Sequence, residues 1–254
     1  MPLGREKRFI HAAGQFSTTQ NFSVAALSAV ETLGSPLGLV CVLCRVSAVP
    51  VAVQTILQRG TLALTGYYAY FTAGAVPTFR LGGAGPVTAS GPRTLVAADL
   101  NKWMLLTNVV YSLAAVTGSQ VWLNASPGAV ADTSALGYGL PVTDLLNIGI
   151  NSVPGSAGTD IEIAQIVLAS GASVAISVPD IYTETQRAQR IPDLPGETLR
   201  IDFGEYSGRQ LSPIDGSTSA PQHFGELVRG ARVSVNTFYS TAPAAFMHPA
   251  DDLV

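Results

Sequence analysis

Short apolar runs, each closed by glycine, proline or a small polar residue, repeat along this chain from residue 22 to residue 176. Between these runs the apolar residues do not recur at the 3.6-residue spacing that is typical of a helix. Many short strands at near-regular spacing, with turn residues between them, are typical of a two-sheet antiparallel sandwich. We therefore predict an all-β jelly-roll sandwich for this region.

The predicted strands have five to ten residues in most cases, and several alternate apolar and polar residues at period two. They cover residues 22–27, 37–46, 51–59, 67–73, 78–81, 94–97, 102–111, 120–124, 145–150, 161–169 and 174–178. The window 37–57 is apolar enough to resemble a membrane span, but Arg45, Pro50 and Gln54 interrupt it and its valines favour strands. We expect strand, turn and strand there, and no membrane partner.

Charge is scarce in this chain. Charged residues make up 12% of it and hydrophobic residues 47%, whereas an ordinary domain has about 25% charged residues. This composition excludes intrinsic disorder, a coiled coil and a charge-laced helical bundle. The net charge of −3 makes nucleic acid an improbable partner. So few charges predict that other protein surface, either copies of this chain or another partner, covers much of the exterior.

The charges that do occur divide the chain unevenly. Residues 180–232 hold 14 of the 31 charges, and this change of composition marks a boundary near residue 178. We predict an N-terminal arm at 1–20, a sandwich at 21–178 and a C-terminal extension at 179–254 that folds back on the sandwich. The arm is either a terminal strand or a segment that reaches a neighbouring subunit. In the extension we expect a helix at 179–191, strands at 198–203 and 232–239, and a long loop at 204–230.

The two cysteines, Cys41 and Cys44, have the C-x-x-C spacing of redox pairs and half zinc sites. They lie in a β-branched run that predicts a strand, in which residues three apart point to opposite faces. Zinc would need further cysteines or clustered histidines, and His11, His223 and His248 are far apart in the sequence. We expect two free thiols that serve packing, which fits a reducing compartment. The basic N-terminus is not followed by an apolar stretch, so no signal peptide is expected.

Three motifs resemble the laminin-G and concanavalin-A-like jelly-roll superfamily. They are the tryptophan-led strand WMLLTNVVY at 103–111, the strand VWLN at 121–124, and a closing hairpin made by LNIG at 146–149 and GTDIEIAQIVL at 158–168. The second motif departs from the family, since Ala125 follows Asn124 where an Asn-Gly turn is usual. Because a two-residue turn would then be strained, we expect a longer turn through residues 126–128.

Four aromatic residues are candidates for contact with a carbohydrate or a protein partner: Tyr68, Tyr70, Trp103 and Trp122. Tyr68 and Tyr70 share one face of a predicted strand, where they could stack on a sugar. Packing in the core, with the hydroxyl groups at its edge, is the alternative for all four.

The resemblance also suggests a calcium site and a glycosidase site, and the residues of this chain support both poorly. Sugar-binding relatives often hold calcium through rim oxygens, and the candidates here, which form no dense acidic cluster, are Asp99, Asn101, Asp132, Asp144 and Asn147. Glycoside hydrolases of this fold carry paired carboxylates on one strand face, and only Asp160 and Glu162 approach that pattern. We therefore predict no metal, no cofactor, no catalytic residue and no enzyme activity.

The preferred function is a structural subunit of a large assembly, most plausibly a bacteriophage virion protein of the capsid-decoration, head-fibre or tail type, assembled in the host cytoplasm. Its partners would be copies of itself, other virion proteins and a host-surface glycan. This rests on the low charge, the arm and the long loop, and on analogy with virion proteins that use laminin-G-like sandwiches. A lectin-like carbohydrate-binding module is the alternative, and a glycan-cleaving enzyme is a more distant one.

Overall fold

The computed structural model describes residues 14–16, 22–24, 38–60, 65–138, 146–148, 161–170, 177–202 and 225–227. Within these ranges the chain forms two antiparallel sheets of seven strands each and one α-helix. The predicted all-β, two-sheet sandwich is therefore confirmed. In chain order the strands are β1 (Gly14–Phe16), β2 (Phe22–Val24), β3 (Gly38–Val46), β4 (Gln54–Arg59), β5 (Tyr67–Phe71), β6 (Pro77–Leu81), β7 (Val87–Ser90), β8 (Met104–Val110), β9 (Ser119–Leu123), β10 (Ser126–Ala131), β11 (Leu146–Ile148), β12 (Ile161–Ser170), β13 (Glu197–Asp202) and β14 (Gly225–Leu227), and the helix is α1 (Val178–Ala188).

The first sheet runs β1-β12-β3-β8-β9-β10, and the second runs β14-β2-β11-β4-β5-β6-β7. Strand β12 is central in the first sheet. Its whole length pairs with β3, while on its other side β1 pairs with its first residues and β13 with its later ones. Residues 14–16 of the predicted arm and residues 197–202 of the predicted extension thus both add to the sandwich, whereas the domain bounds themselves stay a prediction.

The main core lies between the two sheets. Alternate residues of β3 point into it, because successive side chains of a strand face opposite sides. They meet buried aromatic side chains of the second sheet, among them Tyr67, Phe71 and Phe79. The β3 residues on this side are Val40, Val42, Cys44 and Val46.

A second core lies on the outer face of the first sheet, under α1. The other residues of β3, Leu39, Cys41 and Leu43, pack there against Ile181 and Tyr182 of the helix. Burying each large apolar side chain stabilises the fold by about 1.5–3 kcal/mol. Strand β3 is apolar on both sides because both of its faces are covered.

Helix α1 begins and ends with specific caps. The hydroxyl of Ser177 accepts a hydrogen bond from the backbone N–H of Asp180 at 3.2 Å, which satisfies one of the free donors of the first turn. The helix ends where Gln189 takes a left-handed φ of 55°. The helix predicted at 179–191 is confirmed, although it begins one residue earlier and ends three residues sooner.

The chain after α1 is fixed to the first sheet by two buried polar side chains. Gln165 Oε1 of β12 accepts a hydrogen bond from the N–H of Ile191 at 2.8 Å. Arg200 of β13 donates to the carbonyl oxygens of Ile191 and Pro192 at 3.0 and 2.9 Å and pairs with Glu197 at 2.7 Å. These bonds hold the helix and β13 in one arrangement.

Two strand predictions were wrong in whole or in part. Residues 94–97 form an irregular segment that leads into a 3-10 turn at Ala97–Asp99, because the Asp99 carboxylate accepts the N–H of Val96 and thereby closes a turn. The strand at 174–178 is wrong at its end, since Val178 starts α1, and residues 174–176 lie outside the described residues. The predicted strand at 232–239 also lies outside them.

The turn between β9 and β10 corrects the expectation of a longer connection. Strand β10 already pairs with β9 at Ser126 opposite Leu123, so Asn124 and Ala125 alone form the turn. Only Asn124 adopts a positive φ, of 56°, and asparagine tolerates this region better than most residues. The expected strain at Ala125 therefore does not arise.

The window 37–57 contains β3 and the start of β4, as predicted. In the part of the chain that the structure describes, no helix has the length and apolar character needed to cross a membrane.

Candidate ligand-binding site

The outer face of the second sheet carries a group of polar and aromatic side chains on β4, β5 and β6. Tyr68 of β5 lies opposite Gln58 of β4 on one side and Arg80 of β6 on the other. Tyr70, two residues along β5, lies opposite Thr55. Since paired residues of neighbouring strands share a face, these five side chains lie on the side that is turned away from the sandwich core. We call them the tyrosine face.

Tyr68 and Tyr70 form a stacked pair. Their ring centroids are 4.3 Å apart with an interplanar angle of 15°. The Tyr68 hydroxyl also shares a hydrogen bond of 2.8 Å with the Thr55 hydroxyl. Tyr68 is buried, with 4% exposure, whereas Tyr70 is half-buried. Tyr68 therefore supports the ring of Tyr70, and Tyr70 is the ring that a ligand can contact.

Both phenols keep their protons at neutral pH. Burial raises the pKa of Tyr68, although its bond to Thr55 acts in the opposite direction. Burial likewise raises the pKa of Tyr70, and the positive charge of Arg80 partly offsets this. The two hydroxyl groups are consequently neutral groups that can both donate and accept hydrogen bonds.

Arg80 lies beside the tyrosine pair and is half-buried. Its Nε atom is buried and makes no hydrogen bond. Among the described residues, no carboxylate lies within ion-pair distance of its guanidinium. A buried donor without a partner is uncommon in native proteins and costs free energy. Arg80 was not predicted as a site residue.

A narrow cleft, with no room for a water-sized molecule, lies at this end of the face. The backbone of Gly66 and Gly82 shapes it, since the N–H of Gly82 donates to the carbonyl of Gly66 at 2.8 Å. Gly66 has a φ of 80°, and a Cβ there would lie 1.9 Å from the carbonyl oxygen of Arg59, so only glycine fits. The lining residues are Arg59, Thr65, Tyr67, Tyr68, Arg80 and Gly82.

The sequence around this face is free of acidic residues. Between Glu31 and Asp99 the chain contains no aspartate or glutamate, while it contains four arginines, at positions 45, 59, 80 and 93. Strands β4 to β7 all lie in this interval. Of the four arginines, Arg59 and Arg80 lie on these strands, so strands β4 to β7 carry two positive charges and no negative charge, although the net charge of the chain is −3. That count was the signal in the sequence that could have pointed to Arg80.

Trp103, another predicted contact residue, lies in the core beneath α1 and is 1% exposed. The guanidinium of Arg45 lies 5.0 Å from the centroid of its ring. Arg45 in turn pairs with Glu162 at 2.7 Å. The ring of Trp103 is thus enclosed by protein, which is the core packing that the sequence offered as the alternative to ligand contact.

Trp122, the fourth predicted residue, is half-buried on the outer face of the first sheet, at the margin of the second core under α1. It pairs with Thr107 of β8 and Pro127 of β10. Its Nε1 atom is buried and lacks a hydrogen-bond partner. Trp122 therefore lies on the opposite sheet from Tyr68 and Tyr70, and the structure does not bring the four aromatic residues together.

Of the two carboxylates considered for glycan cleavage, only Glu162 lies in the described part of the chain. Glu162 is held by Arg45 on the helix side of the first sheet, and Asp160 lies outside the described residues, as does His223. Glu162 acts as a partner for a buried cation.

Two of the residues considered for calcium, Asp99 and Asp132, use their carboxylate oxygens in local structure. Both oxygens of the buried Asp99 bind Arg93, at 2.6 and 2.9 Å. Asp132 accepts the N–H of Ser134 at 2.7 Å, and hydrogen bonds from Ser134 lower its pKa. Asp144 and the side chain of Asn147 lie outside the described residues. Within the ranges that the structure describes, no three histidine, cysteine or acidic side chains converge on a metal position.

The two thiols lie on opposite faces of β3, as predicted, and both are free and buried. Burial raises the pKa of Cys41 to about 12, although a hydrogen bond from Thr107 acts against it. Burial also raises the pKa of Cys44. Neither thiol is a nucleophile in the folded protein, because the thiolate is the reactive form.

No protein-family model and no curated relative matches the chain. Solved structures do match. A candidate carbohydrate-binding protein from Bacteroides ovatus superposes with a TM-score of 0.55 at 14% identity, over 87% of this chain and 59% of that one. A heptameric pentraxin from Limulus polyphemus covers 63% of this chain and 76% of its own, with a TM-score of 0.43 at 12% identity. The CBM40 module of a Ruminococcus gnavus sialidase, bound to sialyllactose, covers 61% and 91%, with a TM-score of 0.39 at 14% identity.

At these identities the likeness concerns the fold alone. The chain has a jelly-roll β-sandwich fold. It spans about three fifths of the length of the Bacteroides protein.

Proposed function

We propose that the chain is a carbohydrate-binding module that holds its ligand on the tyrosine face. The observation that carries this proposal is the half-buried ring of Tyr70, which is fixed by stacking on Tyr68 beside Arg80. The earlier preference for a virion subunit becomes the second candidate.

The geometry suits a sugar because the aromatic group is already held in place. Tyr68 cannot turn freely, since its hydroxyl is bonded to Thr55 and its ring is covered by Tyr70. A ligand that contacts Tyr70 therefore loses little free energy to side-chain ordering. The hydroxyl of Tyr70 and the guanidinium of Arg80 supply polar groups that can bind sugar hydroxyls.

The comparison of folds supports the same proposal. The Bacteroides ovatus protein, which shares the fold at a TM-score of 0.55, is described as a candidate for carbohydrate binding. A fold can carry many functions, so the tyrosine face and not the fold is the basis of the argument.

The test is a glycan array probed with the wild-type protein, followed by calorimetric titration of the best glycan with Tyr70→Ala. We expect the substitution to weaken binding at least about tenfold, since an aromatic contact with a ligand is often worth more than 1 kcal/mol. Tyr111→Ala is the matched control. Tyr111 is 38% exposed on the first sheet and bonds only locally, to Gln120, so its loss should leave the affinity unchanged. Binding that survives in Tyr70→Ala would contradict the proposal.

A structural subunit of a large assembly, such as a bacteriophage virion assembled in host cytoplasm, is the second candidate. The charged fraction of 12% favours it. So do large apolar side chains that are exposed, of which Val51 is 79% and Val116 70% accessible. Light scattering after size exclusion distinguishes the two proposals. A stable monomer that binds glycan would rule out the assembly, while a large homo-oligomer without glycan binding would favour it.

A further inference from the structure

We infer that the tyrosine face selects sugars that carry an oxyanion, a carboxylate or a sulfate ester, which binds the guanidinium of Arg80. The inference rests on the proposed function and names the class of its ligand.

Two of the arginines between Glu31 and Asp99 have carboxylate partners within the protein. Arg45 is paired with Glu162 at 2.7 Å, and Arg93 is paired with Asp99 at 2.6 Å. Glu162 lies outside the interval between Glu31 and Asp99, and Asp99 is the residue that ends it. The protein thus supplies a carboxylate to each of these two cations. Arg80 has no such carboxylate among the described residues, and its buried Nε makes no hydrogen bond.

A partly buried arginine without a counter-ion favours an anionic ligand. Removing a cation from water is costly unless an anion compensates for it. The guanidinium carries five N–H donors in one plane, and two parallel donors match the two oxygens of a carboxylate or of a sulfate. Because Nε is buried, a ligand oxyanion would bind the two terminal Nη groups of the same guanidinium.

The surroundings of Arg80 agree with this assignment. A second arginine, Arg59, lines the narrow cleft beside Arg80 and is fully buried, opposite the core residue Tyr67. No carboxylate that could repel the ligand lies on β4, β5, β6 or β7. Arg80 lies directly opposite Tyr68 in the sheet and acts electrostatically on Tyr70. A sugar ring on Tyr70 would therefore place a ring substituent within reach of the cation.

The test follows the arginine side-chain N–H signals of the ¹⁵N-labelled full chain by NMR during titration with three probes: glucose, glucuronate and glucose 6-sulfate. The Arg80 signal is assigned by its disappearance in Arg80→Gln, or in Arg80→Lys if the glutamine variant does not fold. We expect glucuronate or glucose 6-sulfate to shift this signal and to bind about tenfold more tightly than glucose. Whichever of the two acidic sugars shifts the Arg80 signal more shows whether the face prefers a carboxylate or a sulfate.

Arg187→Gln is the matched control for the loss of one positive charge. Arg187 is exposed on α1, on the other side of the sandwich, and pairs there with Glu184. We expect Arg80→Gln to abolish the preference for the acidic sugars and Arg187→Gln to retain it. Added salt should weaken the acidic sugars more than glucose, because ions screen exposed charges.

The outcomes separate the inference from the proposed function. Glucose binding with no preference for either acidic sugar would overturn the inference while the carbohydrate proposal stands. A preference that survives in Arg80→Gln would also overturn it. If neither acidic sugar perturbs the Arg80 signal of the wild-type protein, the inference is wrong whatever the array shows, whereas loss of array binding in Tyr70→Ala tests the function on its own.

Discussion

Arg45 of β3 and Glu162 of β12 form an ion pair on the helix-covered face of the first sheet, with Arg45 Nη2 2.7 Å and Nε 2.8 Å from the same oxygen, Glu162 Oε2. The two side chains are only 8% and 16% exposed, and the guanidinium lies over the ring of Trp103 at 5.0 Å. The first sheet thus carries an arginine that has a carboxylate partner. The second sheet carries Arg80, which has no carboxylate partner among the described residues.

Glu162→Gln should lower the free energy of unfolding by about 2 kcal/mol, because it leaves a largely buried cation without its counter-ion. Urea denaturation followed by tryptophan fluorescence measures this loss. The double variant Arg45→Leu/Glu162→Leu should cost less than the sum of its two single variants, since it removes both charges together. A loss below about 0.5 kcal/mol in Glu162→Gln would show that the pair is no stronger than a surface pair.

Neither cysteine should react with Ellman's reagent in the folded protein at pH 8. Both thiols are buried, and burial raises the pKa of Cys41 to about 12. Both thiols should react in denaturing urea, which provides the control for reagent and protein concentration. Rapid reaction of either thiol without denaturant would contradict the placement of Cys41 under α1 and of Cys44 between the sheets.

The stability of the protein should fall with rising pH above about 9. The folded pKa of Cys41 is about 12 and its ordinary value is 9.0, so between these values the unfolded chain loses the proton while the folded chain keeps it. The contribution of the group is complete below pH 9 and is lost as the pH rises towards 12. Burial raises the pKa of Cys44 in the same direction.

Urea midpoints at pH 8.5, 9.5 and 10.5 measure this dependence. Replacing both cysteines with alanine should reduce the slope, which can reach about 1.4 kcal/mol per pH unit for each group. A slope that is the same in the wild type and in the double variant would assign the alkaline loss to other groups.

Asn124→Ala should destabilise the protein more than Asn124→Gly. The Asn124 side chain accepts a hydrogen bond from the N–H of Leu105 at 2.9 Å, and the residue has a φ of 56°. Both substitutions remove the bond, but only alanine adds left-handed strain, about 1 kcal/mol. Thermal unfolding of the two variants gives the difference directly. Equal stabilities would indicate that the turn relaxes to another conformation.

The sandwich could be predicted because its strongest signals are local. The run at 37–46 and the pattern at 161–168 correspond to β3 and β12, whose apolar faces are dictated by burial. The short strands β7 and β10 could not be found in this way. Both lie at sheet edges. Strand β7 alternates apolar and polar residues over only four positions, and the residues of β10 are exposed or half-buried, so neither strand gives a strong apolar pattern. Strands β1 and β14 have three residues each and depend on pairing with distant strands.

The candidate site was only partly accessible to the same reasoning. A shared face for Tyr68 and Tyr70 follows from their spacing, and the structure places them so. The tryptophans could not be placed, because the helix that covers Trp103 packs on the first sheet from a distant part of the sequence. The absence of acidic residues between Glu31 and Asp99 could have drawn attention to Arg80, but its place opposite Tyr68 follows only from the sheet register, since a lone arginine in a strand is usually a solvated residue.

Hydrogen exchange measured by mass spectrometry, with and without the best glycan from the array, tests most directly that the second sheet binds the ligand. We predict that the ligand slows exchange in peptides from β5 and β6, residues 67–71 and 77–81, and leaves α1 unchanged at 178–188. Protection confined to α1 and the β9–β10 hairpin beside Trp122 would contradict the account, because it would place the ligand on the opposite sheet.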